Sequence, residues 1–140
     1  MLISPALLDE LIAHARREAP NECCGVVAVE AGDSGGGVRA VRVHPAVNTA
    51  ASPLRFEVDP HELLRIIDAI DLAGRELGAI YHSHTRTAPY PSQTDINFAA
   101  NWPGVEWIIV GLADGREPAV RSYLIDGARV QEVTIEQAQT

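Results

Sequence analysis

At 140 residues, 46% hydrophobic and 21% charged, the chain has ordinary globular proportions and enough length for one domain, residues 1–140, with a core that needs no staples. Its net charge of −8 disfavours a general nucleic-acid binder, which needs a basic face, and no apolar run approaches a membrane span. The start, Met1-Leu-Ile-Ser-Pro5, has no basic region ahead of an apolar core, so no signal peptide is expected and the expected compartment is the cytoplasm.

Ser4-Pro5 is a helix opening, a hydroxyl cap followed by proline at the first helical position. Leu7, Leu8, Leu11, Ile12 and Ala15 then share one face, and Pro20 closes the helix near Ala19. His14 falls off that stripe and is expected at the surface. Cys23 to Val29 is small and β-branched, a central strand, and Gly25 within it signals close backbone approach. Neighbouring strand residues face opposite ways, so Cys23 and Cys24 make a poor disulfide pair and a poor shared metal site. They read either as small buried residues in a reducing compartment or as a thiol nucleophile served by a histidine; the first is favoured.

Ala31 to Gly37 is a glycine-rich hairpin loop without the lysine and helix of a phosphate loop. Val38 to Val43 alternates as a half-exposed strand that His44-Pro45 ends; His44 reads as a strand-end polar group, with a site residue as the alternative. Asn48 to Leu54 is a polar loop, and Arg55 to Val58 a short strand. Asp59-Pro60-His61-Glu62 opens a second helix, with Leu63, Leu64, Ile66, Ile67 and Ile70 as its stripe and His61 solvated in the first turn. Gly74 and Gly78 mark its end and the turn into the next strand, Leu77 to Ile80.

That strand runs into Tyr81-His82-Ser83-His84. Residues two apart on a strand share a face, so His82 and His84 project together. A loop with Pro89 and Pro91 follows, and Ser92-Gln93-Thr94-Asp95 opens a third helix that Trp102-Pro103-Gly104 ends. The loop can bring Asp95 back over the two imidazoles. Two nitrogens and one carboxylate oxygen on converging elements suit a zinc ion with one position left open, the condition for catalysis. The bland readings are two hydrogen-bonded strand histidines and a capping box from Ser92 to Asp95. Glu106 to Val110 is a further strand, Ala113 to Pro118 a turn, and Ala119 to Ile125 with Ala128 to Ile135 a hairpin joined by Asp126-Gly127, before a tail from Glu136. Three helices and about six strands in mixed order predict an α/β fold, a sheet with helices on both faces.

His82-Ser83-His84, seven residues, Ser92, two residues and Asp95, with Glu22 upstream, resembles the JAMM motif of the JAB1/MPN/Mov34 metallopeptidases. Glu18-Ala-Pro-Asn-Glu-Cys-Cys-Gly25 and the block from Asn48 to Asp59 extend the resemblance over most of the chain. Thr85 departs from it, since many members carry proline after the second histidine. The short length and Thr85 are more similar to compact bacterial members acting on sulfur-carrier proteins.

The resemblance implies a three-layer α-β-α sandwich around a mixed sheet, the JAB1/MPN fold, similar in layout to cytidine deaminases. It implies Zn2+ held by His82, His84 and Asp95. It makes Glu22, on its own a surface glutamate after a helix, the general base and then acid, and makes Ser92 a donor to the oxyanion as well as a cap. The implied activity is hydrolysis of a peptide or isopeptide bond at the C-terminal Gly-Gly tail of a ubiquitin-like or sulfur-carrier protein, with release of cysteine as the narrower form. The loops 48–54 and 85–91 would contact that tail, with Arg86 and Tyr90 as docking residues. Two rivals are a non-catalytic MPN scaffold, which typically lacks motif residues, and a zinc deaminase or other small-molecule zinc hydrolase. A deaminase expects His-x-Glu and Pro-Cys-x-x-Cys, and neither occurs. Oligomeric state is not readable from the residues.

Overall fold

The computed structural model describes residues 1–32, 38–113 and 117–137. Among these, three helices and eight strands follow in the order β1 (Leu2–Ile3), α1 (Pro5–Glu18), β2 (Cys24–Glu30), β3 (Ala40–Ala46), α2 (Pro60–Leu72), β4 (Arg75–His84), α3 (Gln93–Ala99), β5 (Glu106–Gly111), β6 (Ala119–Asp126), β7 (Arg129–Val133) and β8 (Glu136–Gln137). Six strands form one sheet in the order β3-β2-β4-β5-β6-β7, antiparallel except where β5 runs parallel to β4. The mixed sheet and the helices on its two sides bear out the expected α-β-α layering.

Each face of the sheet has its own core. One gathers Cys24, Val26, Ile80, Trp107, Ile109 and Tyr123 under Ile66 and Ile70 of α2 and Ala99 of α3. The other gathers Cys23, Val27, Tyr81, Ile108 and Val110 over Leu11 and Ala15 of α1. The strand period of two sorts neighbours this way, so Cys23 and Cys24 lie on opposite faces, as expected. His82 and His84 follow Ile80 at the same parity and reach the α2–α3 side, where Asp95 meets them.

The helix starts follow their caps. Ser4 Oγ accepts from Leu7 N and Asp59 from Glu62 N, each with proline in the first turn. Such a cap contributes about 1 kcal/mol. α2 ends at Gly74, whose φ of 73° puts it in the left-handed region that glycine favours.

Gly78 is not a turn. It lies inside β4, and a Cβ there would strike the Val29 side chain of β2, so it is a close-approach glycine between central strands. Gly25 is another, packed on the Tyr81 ring and the His44 carbonyl, as expected.

Other expectations shift. Arg55 to Val58 is not a strand: Glu57 bonds back to Asn48 and Thr49 instead of to a neighbouring strand. β3 continues through His44 and Pro45 to Ala46, which a proline allows because β3 is an edge strand whose outer side needs no N–H. The last hairpin turns one residue later, at Gly127-Ala128, because Asp126 pairs with Arg129. Gly127 takes φ 59° there. Glu136 and Gln137 are not simply tail: β8 pairs in parallel with β1 as a second, two-stranded sheet. Most of the loop expected at 31–37, half of the turn expected at 113–118 and the last three residues of the tail fall outside the described residues. No described helix is long and apolar enough to cross a membrane.

Candidate metal centre

The end of β4 and the first turn of α3 bring three side chains to one point. His82 Nε2 lies 3.1 Å from His84 Nε2 and 3.1 Å from Asp95 Oδ2, and His84 Nε2 lies 3.2 Å from that same oxygen. All three residues are buried. A tetrahedral zinc with ligands at about 2.0–2.1 Å would separate those ligand atoms by roughly 3.3 Å. The triangle therefore has the size of one face of such a tetrahedron.

The proton arrangement also suits a cation. His84 Nδ1 sits 2.9 Å from the Ala88 carbonyl, which can only accept, so Nδ1 carries a proton, and it is Nε2 that a neutral ring would offer to a cation. A ligating histidine ordinarily uses its second nitrogen in this way. Asp95 Oδ2 accepts from Ser92 N at 2.9 Å, which fixes the carboxylate. His82 is held differently. Its Nδ1 has no partner among the described residues, and its ring instead stacks on Phe56, with centroids 4.7 Å apart and planes at 27°.

The charges are strongly coupled. Burial alone would raise the Asp95 carboxyl, but hydrogen bonds from His82 and His84 hold it well below the usual carboxylate range. Burial lowers His82. Burial would also lower His84, yet Asp95, the Ala88 carbonyl and Glu22 hold its imidazole above the ordinary value.

Glu22 is not the surface glutamate that its residues alone would predict. It precedes β2 and is 4% exposed. Cys24 pairs with His82 across the antiparallel β2–β4 ladder, so Glu22, two residues earlier, comes opposite His84 and shares the histidines' face. Burial pushes its carboxyl up to about 7, with His84 opposing and Asp95 reinforcing the shift. Its turn is tied down at three points. Thr85 Oγ1 donates to the Pro20 carbonyl at 2.8 Å, Glu22 N donates to the Ser52 carbonyl at 2.9 Å, and Asn48 Nδ2 donates to the Glu22 carbonyl at 3.0 Å. Thr85, the departure from the motif, thus links the end of β4 to the glutamate turn.

Ser92 caps α3: its Oγ accepts from Asp95 N at 3.2 Å, and the full capping box forms. The residue is exposed, and its hydroxyl proton has no acceptor among the described residues. Capping and donation to a substrate are compatible.

The remaining candidates lie apart from the triangle. Arg86 lines a cleft of about 300 Å³ with Ala88, Pro89 and Glu117, and Tyr90 is exposed with its ring edge-on to Tyr123. His61 is solvated, as expected. His44 lies within β3, half-buried, opposite Val26. His14 is buried rather than exposed, because its Nδ1 meets the Tyr81 hydroxyl at 2.7 Å beneath α1. Burial pushes the Cys23 thiol up to about 11 and the Cys24 thiol up to about 12, so neither supplies a thiolate near neutral pH.

Asn48 and Phe56 escaped the sequence reading as site residues. The signal available was their place in one short block before a helix cap, and it says nothing about which atoms they touch.

The chain matches the family described as prokaryotic homologs of the JAB domain over residues 4–126. It is 36% identical over 133 residues to a CysO-cysteine peptidase of Mycobacterium tuberculosis, covering 94% of this chain and 88% of the relative. It is 42% identical over 117 residues to a desampylase of Haloferax volcanii, covering 79% of each. A solution structure of a protein from Desulfitobacterium hafniense superposes with a TM-score of 0.86 at 31% identity, over 99% of this chain and 93% of the other. A JAB1/MPN-domain protein from Archaeoglobus fulgidus superposes with a TM-score of 0.65 at 20% identity, over 99% of this chain and 100% of the other, and so shares the fold.

Proposed function

The chain belongs to the prokaryotic JAB-domain family, and from that premise we propose that it is a zinc-dependent peptidase. Its proposed target is the bond at the C-terminal Gly-Gly tail of a ubiquitin-like or sulfur-carrier protein. The names of its relatives, a CysO-cysteine peptidase and a desampylase, support cleavage of such conjugates. The observation that carries the reading is the buried triangle of two imidazole nitrogens and one carboxylate oxygen, 3.1–3.2 Å on each side, with Glu22 beside it.

His82, His84 and Asp95 would hold the ion. When bound, zinc supplies a Lewis acid for the scissile carbonyl and makes water nucleophilic near neutral pH. The Glu22 carboxylate takes a proton from the attacking water and returns it to the amine nitrogen that departs. A buried carboxylate opposite His84 is placed to carry a proton in both directions. The free Ser92 hydroxyl faces the negative charge that develops on the carbonyl oxygen, a contribution whose loss costs about 100-fold or more in rate. A Gly-Gly tail lacks side chains and can lie extended between the loops 48–54 and 85–91. Release of cysteine from a sulfur carrier is the narrower form of this reading.

The test uses the zinc-loaded protein and ubiquitin-like proteins whose Gly-Gly tails are joined to lysine or to cysteine. Intact mass would show the freed tail. Glu22→Gln should keep its zinc and lose turnover, whereas His84→Ala and Asp95→Ala should lose the metal. Turnover by Glu22→Gln at the parent rate would overturn the base assignment. Intact conjugates after exposure to fully zinc-loaded protein would overturn the function.

A further inference from the structure

Between β3 and α2 the chain crosses 47–59 without regular structure, yet a single side chain organises it. The Asn48 amide makes four hydrogen bonds, the full capacity of its two N–H groups when each is used once and of its two oxygen lone pairs. Oδ1 accepts from Ala50 N and from Glu57 N, each at 3.0 Å. Nδ2 donates to the carbonyls of Glu22 and Arg55, each at 3.0 Å. The oxygen folds the segment on itself. The nitrogen attaches the folded segment to the residue expected to move the proton.

The consequence reaches both sides of the triangle. On one side, the segment holds Glu22 by its own backbone as well, through Ser52 O and Glu22 N. On the other, it presents Phe56, the ring on which His82 stacks, whose Nδ1 has no partner among the described residues. Glu22 lies just ahead of β2, and although the β2–β4 register places it opposite His84, its own backbone N–H and carbonyl bond to Ser52 and Asn48 rather than to β4.

We propose that Asn48 is the positioning residue for Glu22, acting through its Nδ2 on the Glu22 carbonyl. The role rests on the hydrolase reading given above. It makes the segment 47–58 a strap that fixes the glutamate relative to His84.

An isosteric change isolates the nitrogen. Asn48→Asp keeps an oxygen for Ala50 N and Glu57 N but turns the donor into an acceptor facing two carbonyls. Asn48→Ser is the second variant, short enough to be tolerated if the new charge prevents folding. Two measurements are made on each. Amide hydrogen exchange should show faster exchange at Glu22 N, while Val27 N within β2 stays protected. Steady-state kinetics of the zinc-loaded protein should show kcat reduced about tenfold or more with KM changed less than about twofold, because misplacement by an ångström costs on this scale. Zinc content should match the parent protein.

Unchanged exchange at Glu22, or parent kcat, would overturn the proposal. If the parent protein cleaves no conjugate while Asn48→Asp still speeds Glu22 exchange, the hydrolase reading fails and the structural clamp stands.

Discussion

Glu22 shows how a single carboxyl carries two consequences. Burial raises it from 4.5 to about 7 in the folded chain. Between those values the metal-free folded protein holds a proton that the unfolded chain has released, so this group's contribution to stability is complete below about 4.5 and is lost as pH rises through about 7. In chelator-treated protein, Glu22→Gln should therefore melt above the parent at pH 8 and level with it at pH 4.5. Thermal melts at the two pH values check this. A Glu22→Gln protein that melts lower at pH 8 would mean that the buried carboxylate is satisfied after all. Thr85 makes the neighbouring prediction. Thr85→Val replaces by a methyl the hydroxyl that ties the end of β4 to Pro20 O, a bond of about 1 kcal/mol. It should leave zinc content unchanged and lower kcat several-fold, as read in the same conjugate assay.

At the scale of elements, the central strands decide what reaches the site. β2 and β4 approach closely enough that Gly78 has no room for a Cβ beside Val29. Gly78→Ala should destabilise the protein by about 1–3 kcal/mol through overpacking, measurable by urea unfolding. The same ladder sets the register that brings Glu22 opposite His84. The helix starts were legible because a cap is local chemistry: Ser4, Asp59 and Ser92 each act on an N–H three residues away. The length of β4 was not. Gly74 and Gly78 are the same residue type four positions apart, and only the position of Val29 separates a helix stop from a packing contact. His14 was misplaced for the same reason, since its burial depends on the Tyr81 hydroxyl 67 positions away.

Over the whole molecule, the triangle joins a strand of the sheet to a helix packed on one of its faces. His82 and His84 come from β4 and Asp95 from α3. An ion binding there stabilises the folded state alone. At a free concentration about 100-fold above its Kd, the gain is about 2.7 kcal/mol, or on the order of 10 °C in Tm. Zinc should raise the melting temperature of the parent protein by that order and leave His84→Ala unmoved. Equal shifts in both proteins would place the ion elsewhere.

By itself the sequence determined what spacing and local chemistry can carry. The strand period aligns His82 with His84, and the Ser92–Asp95 interval writes the first turn of a helix. These relations act within a few residues of chain, so they survive without knowing the fold. Folding sets the rest: the triangle closing at 3.1–3.2 Å, the burial of Glu22 beside it, and the hold of Asn48 and Thr85 on the glutamate turn. Those relations join atoms from distant stretches, and a hydrogen bond between them depends on ångström positions that strand pairing and helix packing must first establish.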